Sequence, residues 1–401
     1  MPSSPRVLAS PRFASRIDVD LTPNALAQAL ATRRAAGARI LDLTLSNPTQ
    51  AGFAYPAAEI LAALAAPAAL RYEPEPRGLP AARAAVAAYY AARGESIDAD
   101  DVLITASTSE SYALLMKLLA EPGDEILVPA PSYPLFDVLA ALESVSLARY
   151  PLEHAPGHGW RIGRAALERA LSPRTRAVVV VHPNNPTGSY VQADERAWLE
   201  ALCARRGLPL IADEVFLDYG RRAACETSFA TTQGALAFAL SGLSKLAGLP
   251  QLKLGWIALA GPGWLRREAR DRLEFIADAY LSVGAPVQHA AARLLGLRGQ
   301  IQQQIAARID ANESQLRERC ANGAGCRLLA RDGGWYAVLE LAREIDEEAL
   351  CVALLAEHGV LVHPGYFFDF GRPGVLVVSL VSRPEELATG FERIIERANS
   401  M

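Results

Sequence analysis

The chain has 401 residues, 51% of them hydrophobic, with 44 acidic residues against 40 basic ones and a formal charge of −4. This excludes a disordered or fibrous chain and leaves ample apolar material for a large core. No run of like charge marks a nucleic-acid or anionic-membrane surface, so small molecules are the expected partners, with no nucleic acid and no membrane.

The five cysteines, Cys203, Cys225, Cys320, Cys326 and Cys351, contain no C-x-x-C pair. Neither a disulfide framework nor a metal site is expected, and the composition suits a reducing cytoplasm. The opening MPSSPRVLASPRFASRIDVDL lacks the continuous apolar core of a signal peptide, and no uncharged apolar stretch reaches the length of about 18 residues that spans a membrane. A soluble protein is expected.

Taken in order, the alanine-rich stretches 57–69 and 81–92 read as helices bounded by Pro or Gly. From about 102 to 260, β-branched runs alternate with amphipathic ones, the pattern of an α/β domain with a mostly parallel sheet. Its seven strand candidates are 102–105, 125–129, 144–150, 177–182, 208–212, 235–240 and 255–260. A long helical stretch, 288–319, leads out of this region. Beyond it, 326–330, 335–340, 360–363 and 375–381 read as strands, and 346–358 and 384–399 as helices. The expected division is a large domain over 46–289 and a smaller α+β domain built from 1–45 and 290–401.

Chemistry-bearing residues recur at the C-terminal ends of the predicted strands, where open α/β sheets bind ligands. Ser244-Lys245 follows the strand 235–240, and a lysine in a closed cationic site has its pKa lowered enough to attack an aldehyde. A solvated surface lysine is the alternative. Asn185, in the segment His182–Gly188 after the strand 177–182, is placed to bind a phenolate oxygen or simply to form a turn. Asp213 leaves the strand 208–212 as a carboxylate suited to a protonated ring nitrogen, or as a helix N-cap. Ser107, Thr108, Ser109 and Glu110 put hydroxyls and free N–H groups at a helix N-terminus suited to phosphate; the same letters spell a capping box. Tyr133, between Pro131 and Pro134, can lie over a flat ring or in the core.

Together with Arg71-Tyr72…Gly78, Pro122-Gly123-Asp124-Glu125 and Asn184-Asn185-Pro186-Thr187-Gly188, this ordered set resembles the class I/II aminotransferases of the fold-type I pyridoxal-5′-phosphate (PLP) enzymes, from about Leu41 to Asn399. The resemblance implies transfer of an amino group from an L-amino acid to a 2-oxo acid, with Lys245 holding PLP as a Schiff base. Asp213 would pair with the pyridine nitrogen, Asn185 would bind O3′ and Tyr133 would stack on the ring. Thr108, Ser109 and Ser244 would hold the phosphate, and Tyr72 would reach the partner subunit's phosphate across a homodimer interface.

Three positions depart from the family pattern. Phe216 stands where a tyrosine is common, removing a donor to O3′. Lys253 replaces an arginine on the phosphate, keeping the charge without the bidentate fork. Near Val377, where an arginine generally anchors the substrate carboxylate, there is none. Arg383 is the nearby candidate, although six residues of strand span about 20 Å. Asn47 and the aromatic run Tyr366-Phe367-Phe368 are expected to line the substrate side. A PLP-dependent lyase, decarboxylase or oxidase is the alternative function on the same fold. A PLP-sensing regulator is disfavoured, because the stretch before Leu41 has neither the length nor the basic charge of a DNA-binding domain.

Overall fold

The structure, a computed structural model, describes residues 13–220, 227–322 and 325–400; Cys225 lies outside them. Its strands in chain order are β1 (Leu41–Asp42), β2 (Val102–Thr105), β3 (Glu125–Ala130), β4 (Ser146–Ala155), β5 (Gly159–Ile162), β6 (Thr175–Val181), β7 (Leu210–Asp213), β8 (Ala237–Gly242), β9 (Gly255–Ala260), β10 (Cys326–Leu328), β11 (Tyr336–Leu341), β12 (Val360–Leu361), β13 (His363–Pro364) and β14 (Val375–Ser379).

Eight of these form one sheet in the order β2-β9-β8-β7-β6-β3-β4-β5. Neighbours from β8 through β4 run parallel, β9 lies antiparallel between β2 and β8, and β5 folds back on β4. All seven expected strands are present. The eighth, β5, arises because β4 continues to Ala155 and reverses through a turn closed by His158 N–H on Ala155 O at 3.0 Å. His154 and Trp160 then meet across the hairpin with ring centroids 5.0 Å apart.

The inner parallel strands β3, β6, β7 and β8 are largely buried on both faces, whereas β4 nearer the edge is partly exposed. In β6, Val178 and Val180 pack into one apolar cluster while Ala177, Val179 and Val181 pack into another, following the period of two. The following helix, Ala193–Arg206, starts with a capping box between Gln192 and Glu195 and stops at Gly207, whose φ of +65° suits a residue without Cβ.

The helix Ala285–Ala321 joins two cores. Leu294 and Leu297 pack with Val102 and Trp256 beside the large sheet. Ile301, Ile305, Ile309 and Leu316, at helical spacing, pack into a different cluster with Val338 and Val377. That second cluster belongs to a four-stranded antiparallel sheet, β10-β11-β14-β13, while β1 pairs in parallel with β12.

Two expectations change here. The run 360–363 is not one strand: β12 pairs with β1 and β13 with β14, so the chain changes partner at Val362. The helix expected over 346–358 is α-helical over Glu347–Ala353 and widens to a π-helical turn, Leu354–His358, before Gly359 ends it at φ +68°. Among the described residues no helix is long and apolar enough to cross a membrane.

Candidate active site

β6, β7 and β8 end side by side, so the residues after them meet in one crevice. Asp213 closes β7, Asn185 follows β6, and Ser244 and Lys245 open a short helix directly after β8. With Thr108, Ser109, Tyr133 and Lys253 they line a single cavity of about 300 Å³. Eight of the residues expected at a cofactor site are therefore brought together.

The anion-binding side is built on the helix Thr108–Leu119. Its N-cap, Ser107, accepts from Glu110 N–H at 3.2 Å, and the Glu110 carboxylate reaches back to Ala106 N–H at 2.6 Å. Ser107 thus caps the helix, while Glu110 bonds Ala106 rather than closing a capping box on Ser107 N–H; Thr108 and Ser109, at the positive end of the helix dipole, line the cavity. Gly242 and Gly255 permit the close meeting of β8, β9 and the Ser107 loop. A Cβ at Gly242 would lie 2.8 Å from Leu254 O, and one at Gly255 3.2 Å from the Ser107 carbonyl carbon. Lys253 completes this side at a left-handed φ of +52°.

Asp213 accepts hydrogen bonds from Tyr112 Oη at 3.2 Å and Val215 N–H at 3.3 Å. Among the described residues no cation pairs with it, and burial raises its pKa to about 6. Lys245 Nζ donates to Ser46 O at 2.9 Å and stands 5.1 Å from the Trp335 ring and 5.9 Å from the Phe216 ring. Burial lowers its pKa to about 8, so about a tenth of the amine is neutral at pH 7, far more than for a solvated lysine. The Asn185 side-chain oxygen is buried without a hydrogen-bond partner among the described residues, whereas Asn184 is tied to Pro131 O and Thr187 Oγ1. The site thus offers a nucleophilic amine, an unpaired carboxylate, an unengaged amide and an anion cradle around a slot with aromatic walls. It suits a flat, phosphate-bearing heteroaromatic aldehyde.

The remaining expected residues lie elsewhere. Tyr72 is 82% exposed and lines a separate surface cavity with Glu110, Tyr280 and Ser282. Asn47 caps the short helix Pro48–Gln50, its Oδ1 accepting from Thr49 N–H and Oγ1; its neighbour Ser46 lines the central cavity instead. Arg383 is exposed at the start of the helix Pro384–Ser400, with its guanidinium against Gly52, and does not line the cavity. The aromatic run also departs from expectation: Phe368 is buried and Tyr366 and Phe367 are half-exposed, all outside the cavity. Leu135, Phe136 and Leu139 supply the apolar wall in their place.

Sequence reasoning missed Tyr112, Ser46, Trp335 and Tyr336. Tyr336 enters the cavity from β11 of the second sheet, and Trp335 beside it faces Lys245. A signal existed in the glycines. Gly188, at φ +70°, approaches Gly333 so closely that a Cβ would lie 2.3 Å from its carbonyl oxygen, and this locks the Asn185 loop to the start of β11.

The sequence profile of aminotransferase class I and II matches residues 39–394. Alanine aminotransferase of Mycobacterium tuberculosis is 30% identical over 382 residues, covering 92% of this chain and 87% of that protein. The glutamate-pyruvate aminotransferase of Escherichia coli is 31% identical over 264 residues, covering 65% of this chain and 64% of that one. A solved aminotransferase from Mycobacterium tuberculosis superposes with a TM-score of 0.82 at 25% identity, covering 98% of this chain and 100% of its own. Alanine aminotransferase from Pyrococcus furiosus shares the fold with a TM-score of 0.86 at 22% identity, covering 97% of this chain and 100% of its own. These names do not favour a lyase, decarboxylase or oxidase. The chain belongs to the class I and II aminotransferases, and its reaction is amino-group transfer on amino acids.

Proposed function

We propose that the cavity holds pyridoxal 5′-phosphate and that L-alanine, L-glutamate and pyruvate are among the substrates. One observation carries the cofactor reading: Asp213, Asn185 and the helix start at Thr108 each lack a full complement of partners, and all three face the same slot as Lys245. When bound, the cofactor supplies an electron sink for the substrate Cα and carries the amino group between half-reactions.

Lys245 would provide the nucleophilic nitrogen that holds the cofactor and the base that moves the proton at the substrate Cα. Asp213 would hold the ring nitrogen in its protonated form, the hydrogen bonds from Val215 N–H and Tyr112 opposing the effect of burial on that carboxylate. Asn185 would hold O3′ without help from position 216, because phenylalanine carries no donor; Phe216 lines the cavity and packs on Trp335, centroids 5.2 Å apart. Thr108, Ser109, Ser244 and Lys253 would hold the phosphate, and Tyr133, which lines the same cavity, would lie against the ring. The choice of alanine, glutamate and pyruvate rests on the names of the relatives.

The cytoplasm and a homodimer are part of the same reading. The dimer is supported by exposed apolar side chains beside Tyr72, such as Leu70 at 91% exposure, which a partner subunit would cover. The division into 46–289 and 1–45 with 290–401 is supported by the two sheets and their separate apolar clusters.

The experiment is an absorbance titration of the purified protein with PLP, followed by single amino acids. Appearance of the visible band, its loss on adding alanine or glutamate, and recovery of pyridoxamine phosphate are expected. A Lys245→Ala variant that still turns over at the wild-type rate would refute the assignment, and a visible band that neither amino acid discharges would refute the substrates.

A further inference from the structure

Cys320 lies in the last turn of the helix Ala285–Ala321, Cys326 opens β10, and their Sγ atoms stand 3.3 Å apart. The five residues between them, Ala-Asn-Gly-Ala-Gly, include two glycines, and Gly325 takes the left-handed φ of +71° just before Cys326. β10 is an edge strand paired with β11, and both thiols are half-buried, within reach of small solutes. The other described cysteines differ. Cys203 and Cys351 are fully buried, and burial pushes Cys203 up to about 12 and Cys351 higher than its usual value. Neither can act as an accessible thiolate.

The two thiols are not equivalent. The hydrogen bond from Cys326 lowers the Cys320 pKa, against burial, with Leu328 N–H and the Arg317 charge adding to the effect. Cys326 is raised by the same contact and by burial, and either sulfur can donate the proton between them. This is the arrangement of an attacking thiolate with a resolving thiol in contact.

We infer that Cys320 and Cys326 form an oxidation site, a dithiol that closes to an intramolecular disulfide on meeting a low-molecular-weight disulfide such as oxidised glutathione. The Cys320 thiolate attacks one sulfur of the oxidant, forming a mixed disulfide and releasing one thiolate. Cys326 then gives up its proton and displaces the second. Two protein thiols become one S–S bond and the oxidant is reduced to two thiols, so the step balances. The sulfurs must close from 3.3 Å to about 2.0 Å, within the reach of small χ1 adjustments. A metal fits less well. Two thiolates fall short of a tetrahedral set, and no group of three or more His, Cys, Asp or Glu side chains suited to a metal occurs among the described residues. Neither cysteine lines the Lys245 cavity, so turnover is expected to stay unchanged.

The sequence gives a direct test, because Arg319 and Arg327 flank the pair and trypsin releases both cysteines in one peptide, 320–327. The full-length, cofactor-loaded protein is incubated with oxidised or reduced glutathione, alkylated, digested and weighed. After oxidation, peptide 320–327 is expected to lose two hydrogens and take up no alkyl group, and dithiothreitol should restore two alkylatable thiols. A doubly alkylated peptide after oxidation, two glutathione adducts, or a link from either cysteine to Cys225 would overturn the proposal. In Cys326→Ser, a single glutathione is expected to remain trapped on Cys320; its absence would overturn the order of attack.

Discussion

Replacing Lys245 by methionine removes a cation from the cavity while keeping most of the side-chain length. The difference between the lysine's ordinary 10.5 and about 8 in the fold corresponds to about 3 kcal/mol against the charged form. Lys245→Met is therefore expected to be more stable than wild type by about that amount near pH 7, with both proteins free of cofactor. The sign reverses the usual trend for a lysine that gains a partner. Between about pH 8 and 10.5 the unfolded lysine keeps its proton while the folded one has lost it, so wild-type stability rises with pH through that window and the advantage of the variant fades. Urea unfolding of both proteins at several pH values measures the difference directly, since every other titrating group cancels. A difference that stays constant from about pH 7 to about pH 10 would refute the idea that burial holds this amine partly neutral.

Tyr112→Phe removes one of the two donors to Asp213, so the carboxylate should protonate above its present value of about 6. PLP affinity, followed by absorbance titration, should fall by about tenfold, more steeply as pH drops toward 6. Gly188→Ala forces a Cβ against Gly333 O at a φ of +70° and should lower stability by about 2–4 kcal/mol in urea unfolding. Ile305→Ala, in the second core beneath the long helix, should cost about 2–5 kcal/mol in the same assay. Arg383→Ala should leave KM for the amino donor within about twofold in steady-state kinetics, because the side chain rests on Gly52 rather than in the cavity. A tenfold rise in KM would make Arg383 the carboxylate anchor after all.

The legible residues share one property. Lys245, Asp213 and Asn185 each follow a strand of the large sheet by zero to four residues, so strand recognition alone carries them to the same edge. Their chemistry was readable because their position is set locally. Tyr336 and Trp335 belong to a strand that was equally visible, yet nothing near them in the chain says that β11 delivers them to Lys245. That depends on the docking of the second sheet through Gly188 and Gly333, between segments almost 150 residues apart. The same limit explains the aromatic run 366–368, which is apolar enough for a pocket wall and packs outside it, and Cys320 with Cys326, whose spacing matched no motif. Within this fold, the cavity-lining residues at the ends of β6, β7 and β8 sit on one sheet's edge, while Tyr336 reaches the same cavity from the other sheet. The reaction is therefore read sooner than the substrate. Val377 is fully buried between Val338 and His363, so the position near which the family pattern has an arginine is apolar here, a substrate-side departure beside those at Phe216 and Lys253. The amino-acid panel and the Arg383→Ala kinetics consequently bear on what distinguishes this enzyme, whereas Lys245→Ala bears on what it shares.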